Sequence, residues 1–139
     1  MSHPYLAGAA AVDITPDRSL HLFGYPHVKR MSTGTHDPLL SSALYLREGE
    51  EHQLYVGNDI IFVPKPLAAR ARKRIAEATG VPEAAICLSA THTHSGPDTV
   101  LYASNVTDKT VPPLDEAYLQ TLEDSIVAAA TQAVEKAVP

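Results

Sequence analysis

Cysteine is almost missing from this chain. Cys87 is the only one, which rules out an internal disulfide and any zinc cage built on thiolates. Its expected state is that of a small buried hydrophobe. Positive charge is also in short supply: 11 Lys and Arg stand against 16 Asp and Glu, a net charge of -5. Nucleic acid is therefore not expected as a partner, and the basic cluster Arg70-Ala-Arg-Lys-Arg74 reads as a solvated helix face. No apolar run approaches the ~20 residues of a membrane span, so no transmembrane segment is expected. The opening Met-Ser-His-Pro-Tyr-Leu-Ala-Gly lacks the charged and long apolar regions of a signal peptide. A cytoplasmic location is expected, with secretion left open. Internal repeats, low-complexity tracts and linkers are missing too, so the 139 residues read as one domain, 1–139.

What is present centres on Ala85-Ala-Ile-Cys-Leu-Ser-Ala-Thr-His-Thr-His-Ser-Gly-Pro97. The apolar run at 86–90 predicts a buried strand, and Ser95-Gly96-Pro97 cannot continue it. In extended backbone the side-chain period is two, so His92 and His94 are expected to project from one face. Ligands commonly sit beyond the carboxyl ends of strands in open α/β sheets, and neutral imidazole is the commonest protein ligand for zinc. A lone His-X-His is equally compatible with two loop histidines that hydrogen-bond their surroundings. Gly96 and Pro97 add a rigid exit, as a preformed site requires.

The remaining elements follow in order. Small apolar residues predict a strand at about 6–14, stopped by Thr15-Pro16-Asp17. Such residues suit either a close backbone approach or an ordinary strand under a helix. Residues 17–38 show no sustained period yet carry His21, His27 and His36. A loop of that length in a compact domain is usually functional or mobile, although each histidine by itself reads as a surface or hydrogen-bonded one. Strands at 41–48 and 53–57 predict a hairpin across 49–52. Asp59, just after it, is placed either to orient a metal-bound histidine or to cap the next turn. Pro64 and Pro66 open a helix to about 79, with Leu67, Ala71, Ile75 and Ala78 on one face and Gly80 at its end. A strand at 84–90 comes next, then an irregular stretch at 98–114. Asp115 caps a last helix to about 137, whose alanine-rich face suits close packing on a sheet. The order predicts an α/β fold, a mixed β-sheet flanked by helices.

Four blocks in order carry a family resemblance. They are Ala11-Val-Asp-Ile-Thr-Pro16, Phe23-Gly-Tyr25, Gly34-Thr-His-Asp-Pro-Leu39 with Ala43-Leu44, and Ser89-Ala-Thr-His-Thr-His-Ser-Gly-Pro97. The chain resembles the amino-terminal portion of the neutral/alkaline (non-lysosomal) ceramidases, zinc amidases that cut the N-acyl bond of ceramide. The resemblance implies zinc as cofactor, His92 as a metal ligand, His94 as a catalytic residue in the substrate site, and Gly24 and His36 as substrate-binding. The family's further ligands, a His, a Glu and a Tyr, lie in motifs beyond Pro139, so the chain is expected to be an incomplete part of a larger catalytic domain. Asp98-Thr99 departs from the Gly-Gly pair usual after the proline, which bears on the lipid substrate more than on zinc. An N-acyl substrate, small or lipid, is the implied partner. If a face of the sheet or of a helix is left bare, self-association is expected.

Two other functions compete. One is a different His-X-His metallohydrolase of the amidohydrolase barrel type; those barrels place the pair after the first strand, whereas two or three strands precede it here. The other is a non-catalytic binding or interaction domain that has kept the fold without a complete site.

Overall fold

The computed structural model describes residues 5–25, 27–101 and 108–139. Positions 102–107 of the predicted irregular stretch lie outside the described residues. The elements are β1 (Tyr5–Asp13), β2 (Leu40–Glu48), β3 (Glu51–Asn58), α1 (Lys65–Thr79), β4 (Ile86–Ala90) and α2 (Glu116–Glu135). The strands lie in the order β1-β2-β3-β4. The first two pairings are antiparallel, and β3 pairs with β4 in parallel through the α1 crossover. This is the expected mixed α/β sheet, but both helices cover the same face of it.

Alternation decides which side chains meet the helices. Ala10, Ala43, Val56 and Leu88 form one row across the four strands and join the core with Leu67, Ala71 and Ile75 of α1 and Leu122, Ile126 and Ala129 of α2. The small residues of β1 have a packing reason. A Cβ on Gly8 would collide with the carbonyl of Ala133 and lie 2.8 Å from Ala137 N. The alanine face of α2 is thus matched by a strand that lets the two backbones touch. Arg70 and Arg74 are not simply solvated. They reach across to the buried Glu123 of α2, each at 3.0 Å or less, and tie the two helices together.

Several boundaries differ from the sequence expectation for local reasons. The strand β1 stops at Asp13, whose side chain accepts the Thr15 N–H at 2.7 Å. The hairpin turn is only Gly49-Glu50, since Glu48 already faces Glu51. Residues 83–85 form a 3-10 turn, so β4 begins at Ile86. The last helix ends at Glu135 because Val138 pairs with Ala7 through two backbone hydrogen bonds of 2.9 and 3.0 Å. Cys87 is exposed, not buried. It sits on the face of β4 turned away from the helices, where an apolar run gives no sign of which side is covered. Among the described residues no helix is long and apolar enough to cross a membrane.

Candidate functional site

Asn58 knits together the strand ends that carry the site. It is fully buried, accepts from Ser41 Oγ at 2.8 Å and donates to the carbonyl of Ser89 at 2.9 Å. Beyond β4 the chain follows β3 for two more bonds, Thr91 N–H to the Asn58 carbonyl and His92 N–H to the Ile60 carbonyl. It then breaks away at His92, which takes a φ of 65°, a left-handed conformation uncommon for residues other than glycine. The period-two argument therefore fails for His92 and His94, because neither lies in the strand. Their rings are nevertheless neighbours, with centroids 5.2 Å apart at 74°.

Each imidazole has its own support. His92 Nδ1 lies 2.9 Å from the Ile61 carbonyl. A carbonyl only accepts, so Nδ1 carries the hydrogen and Nε2 presents a lone pair. Phe62 stands edge-on to the His92 ring at 4.9 Å, while the residue itself is exposed. His94 is half-buried, and its ring lies 5.3 Å from that of Tyr25 at 80°. Arg30 stacks 4.6 Å over Tyr25 and donates to the His94 carbonyl at 2.9 Å. Gly24 has a φ of 118°, and a Cβ there would lie 2.5 Å from His94 Cγ and Nδ1. Only glycine lets this backbone lie against the ring.

The sequence expects one cleft shared by the two histidines, Gly24, His36 and Asp59. The structure divides that set between two surfaces. Gly24 meets His94 directly. His36 and Asp59 line a groove of about 850 Å³ together with Arg18, Met31, Thr93 and Ser95, so alternate residues of the His92–Ser95 turn serve the two surfaces. The His36 side chain is 97% exposed and pairs with Asp37 at 2.7 Å. The Asp59 carboxylate accepts the Leu40 N–H at 2.9 Å, at the start of β2 and not in the turn that follows Asp59. The partner that orients His92 is the Ile61 carbonyl, which no side-chain pattern could announce. His27 is likewise exposed and pairs with Asp108.

His21 is different. It is buried and its Nδ1 lies 2.6 Å from Asp98 Oδ2. Burial pushes the Asp98 carboxyl above the usual carboxylate range, and the His21 contact works against that shift. Sequence reasoning missed this pair, as it missed Arg30 and Phe62. The available signal was an acidic residue directly after Ser95-Gly96-Pro97, a position with no turn role left to fill.

Residues 5–139 match the profile of the neutral/alkaline non-lysosomal ceramidase family, N-terminal. The chain belongs to that family. Among solved structures, neutral ceramidase from Pseudomonas aeruginosa superposes with a TM-score of 0.84 at 25% identity, over 99% of this chain and 22% of that one. A ceramidase complexed with C2 superposes with a TM-score of 0.80 at 24% identity, again over 99% and 22%. The chain thus spans 22% of the length of these two relatives. Family membership and fold together decide against an amidohydrolase barrel. Among the described residues no group of three or more His, Cys, Asp or Glu could hold a metal ion. His92 still fits a zinc ligand by its chemistry: an accessible ring with one nitrogen anchored by a carbonyl and the other free.

Proposed function

We propose that this chain supplies one metal ligand and part of the substrate wall of a zinc-dependent amidase that cleaves the N-acyl bond of ceramide or a related lipid. The observation that carries the reading is the anchored His92 ring, its Nε2 lone pair exposed beside His94, in a chain of the ceramidase family. His92 would hold the ion together with ligands outside the described residues, since a catalytic zinc usually takes three protein ligands. Bound there, zinc would act as a Lewis acid toward the amide carbonyl and lower the pKa of water. His94, half-buried and braced by Tyr25, Gly24 and Arg30, is suited to hold a proton and pass it to the departing amine. The backbone at Gly24 closes one side of that ring and would form part of the substrate wall. The groove lined by His36, Thr93 and Ser95 offers a second, polar wall.

Zinc content and single-turnover hydrolysis of an N-acyl lipid, measured on the protein as encoded by its gene, test this. His92→Ala is expected to lose both stoichiometric zinc and hydrolysis. His94→Ala is expected to keep most of the zinc and lose about 100-fold or more in rate. A His92→Ala protein with full zinc and normal rates would overturn the reading. Self-association belongs to the same proposal, because the sheet face opposite the helices carries Leu44, Leu46 and Tyr55 in contact with solvent.

A further inference from the structure

The turn that bears the imidazoles is docked along a second segment, and that seam has a buried polar anchor. Residues 21–24 run antiparallel beside 94–98. Leu22 and Pro97 form a bridge, Phe23 N–H donates to the Gly96 carbonyl at 3.0 Å, and Gly24 ends against the His94 ring. The seam opens at His21 and Asp98, whose side chains are 2% and 6% exposed. His21 Nε2 lies 3.3 Å from the Val28 carbonyl. That oxygen only accepts, so Nε2 carries a hydrogen, and the 2.6 Å contact between Nδ1 and Asp98 Oδ2 shares a single proton. Asp98 Oδ1 is buried with no hydrogen-bond partner among the described residues. An apolar pair of similar size would suit the local packing at least as well, because a half-satisfied buried carboxyl costs stability. What the pair adds is direction: one oxygen facing one nitrogen defines a single register, which apolar contacts do not.

The neighbouring residue works on the other ring. Thr99 is buried and its hydroxyl donates to the Phe62 carbonyl at 2.7 Å. Phe62 is the residue whose ring edges His92. Adjacent side chains thus reach the two imidazoles, Asp98 through His21 and the backbone as far as Gly24, Thr99 through Phe62.

We propose that Asp98 and Thr99 are positioning residues of the site, Asp98 fixing Gly24 against His94 through His21 and Thr99 fixing Phe62 against His92. The inference concerns the same imidazole pair as the proposed function. Its test reads ring position rather than zinc or hydrolysis, so either can fail without the other.

The measurement is the set of NMR cross-relaxation contacts from Gly24 Hα to the His94 ring and from the Phe62 ring to the His92 ring. Backbone amide shifts of Leu54 and Val56 report whether the sheet is intact. His21→Leu/Asp98→Leu removes the pair without leaving a buried charge, so it is expected to fold, keep the sheet shifts and lose the Gly24–His94 contacts. Thr99→Val is expected to weaken the Phe62–His92 contacts severalfold and spare those of Gly24. Asp98→Asn and Thr99→Ser, which keep a hydrogen bond, are expected to restore both sets. If the Leu double variant keeps the Gly24–His94 contacts at full strength, Asp98 is a structural residue only and its assignment fails. If Thr99→Val leaves the Phe62–His92 contacts unchanged, the assignment of Thr99 fails in the same way. Should the Leu double variant not fold, Asp98→Ala takes its place: loss of the contacts with intact sheet shifts supports the assignment of Asp98, and their retention overturns it.

Discussion

The two faces of the sheet are built from the same strands and end in opposite conditions. On the inner face the row Ala10, Ala43, Val56, Leu88 lies under α2 and α1. One residue along, the outer row is Ala9, Leu44, Tyr55, Cys87. It is as apolar as the inner one, yet Leu44 is 44% and Tyr55 46% exposed. A half-covered antiparallel sheet ordinarily alternates apolar with polar residues. Here both registers are apolar, so the pattern alone does not show which face the helices take. What differs is one point of contact: on the inner face Gly8 lets β1 meet the backbone of α2.

The sharpest way to break this contrast is to remove the close approach. Gly8→Val pushes a branched side chain into the Ala133 carbonyl and the Ala137 amide. Backbone atoms cannot give way as the end of a long side chain can, so α2 must lift from β1. The expected cost is about 3 kcal/mol, the upper part of the ordinary range for overpacking. Thermal unfolding should show it as a fall in Tm of about 10 °C. A Gly8→Val chain that melts with the parent would mean that α2 does not rest on this strand.

The outer face gives a smaller effect of a different kind. Lysine at Leu44 and Tyr55 (Leu44→Lys with Tyr55→Lys) puts charge on exposed positions, so stability should change by no more than about 0.5 kcal/mol per site. Association should change much more. The parent chain is expected to self-associate through this face as concentration rises, and the double variant to sediment as a monomer. A parent chain that stays monomeric throughout the range would show that the bare face is not sticky, and the comparison would lose its functional side.

The same contrast explains how far the sequence could be read. The strands, the hairpin and both helices follow from apolar spacing and from Pro64, Gly80 and Asp115, each a local signal. The pairing of imidazoles was legible as residue types, His92 and His94, but for the wrong geometric reason. Adjacency comes from a left-handed turn at His92, not from strand periodicity. What surrounds the pair was not legible. The Ile61 carbonyl is backbone, the Arg30 bond is to a backbone oxygen, and His21 and Asp98 lie 77 positions apart. Contacts of these kinds leave no periodic trace. The Cys87 expectation failed for the reason the two faces differ: apolar composition fixes neither side.

The smallest expected effect is that of acid, and it separates the helix that covers the inner face from the site beside it. Asp115 caps α2, accepting the Tyr118 N–H at 2.9 Å and pairing with Arg18 at 2.7 Å. The Tyr118 bond first, then Arg18, holds its carboxyl below the ordinary value of 3.8. Asp124, on the outward side of the same helix, is lowered in the same way by Arg74. A carboxyl lowered in the folded state binds fewer protons there than in the unfolded chain. Its contribution to stability is complete above the ordinary value and disappears as pH falls through the folded one. Asp98 has the opposite sign. Its burial raises it, so the folded state holds the proton more tightly, and that contribution is greatest in acid and lost as pH rises past 3.8 toward the raised value. Urea midpoints between pH 2 and 7 should therefore fall modestly below about pH 4 in the parent chain. Asp115→Ala should flatten that acid limb, since the proton it would take up is no longer part of the balance. Asp98→Asn should leave the acid limb alone and raise the midpoints on the neutral side relative to the acid ones. If Asp115→Ala keeps the full acid limb, the cap of α2 is not what acid removes, and the limb belongs to the other lowered carboxyls, Asp124, Asp13 and Asp108.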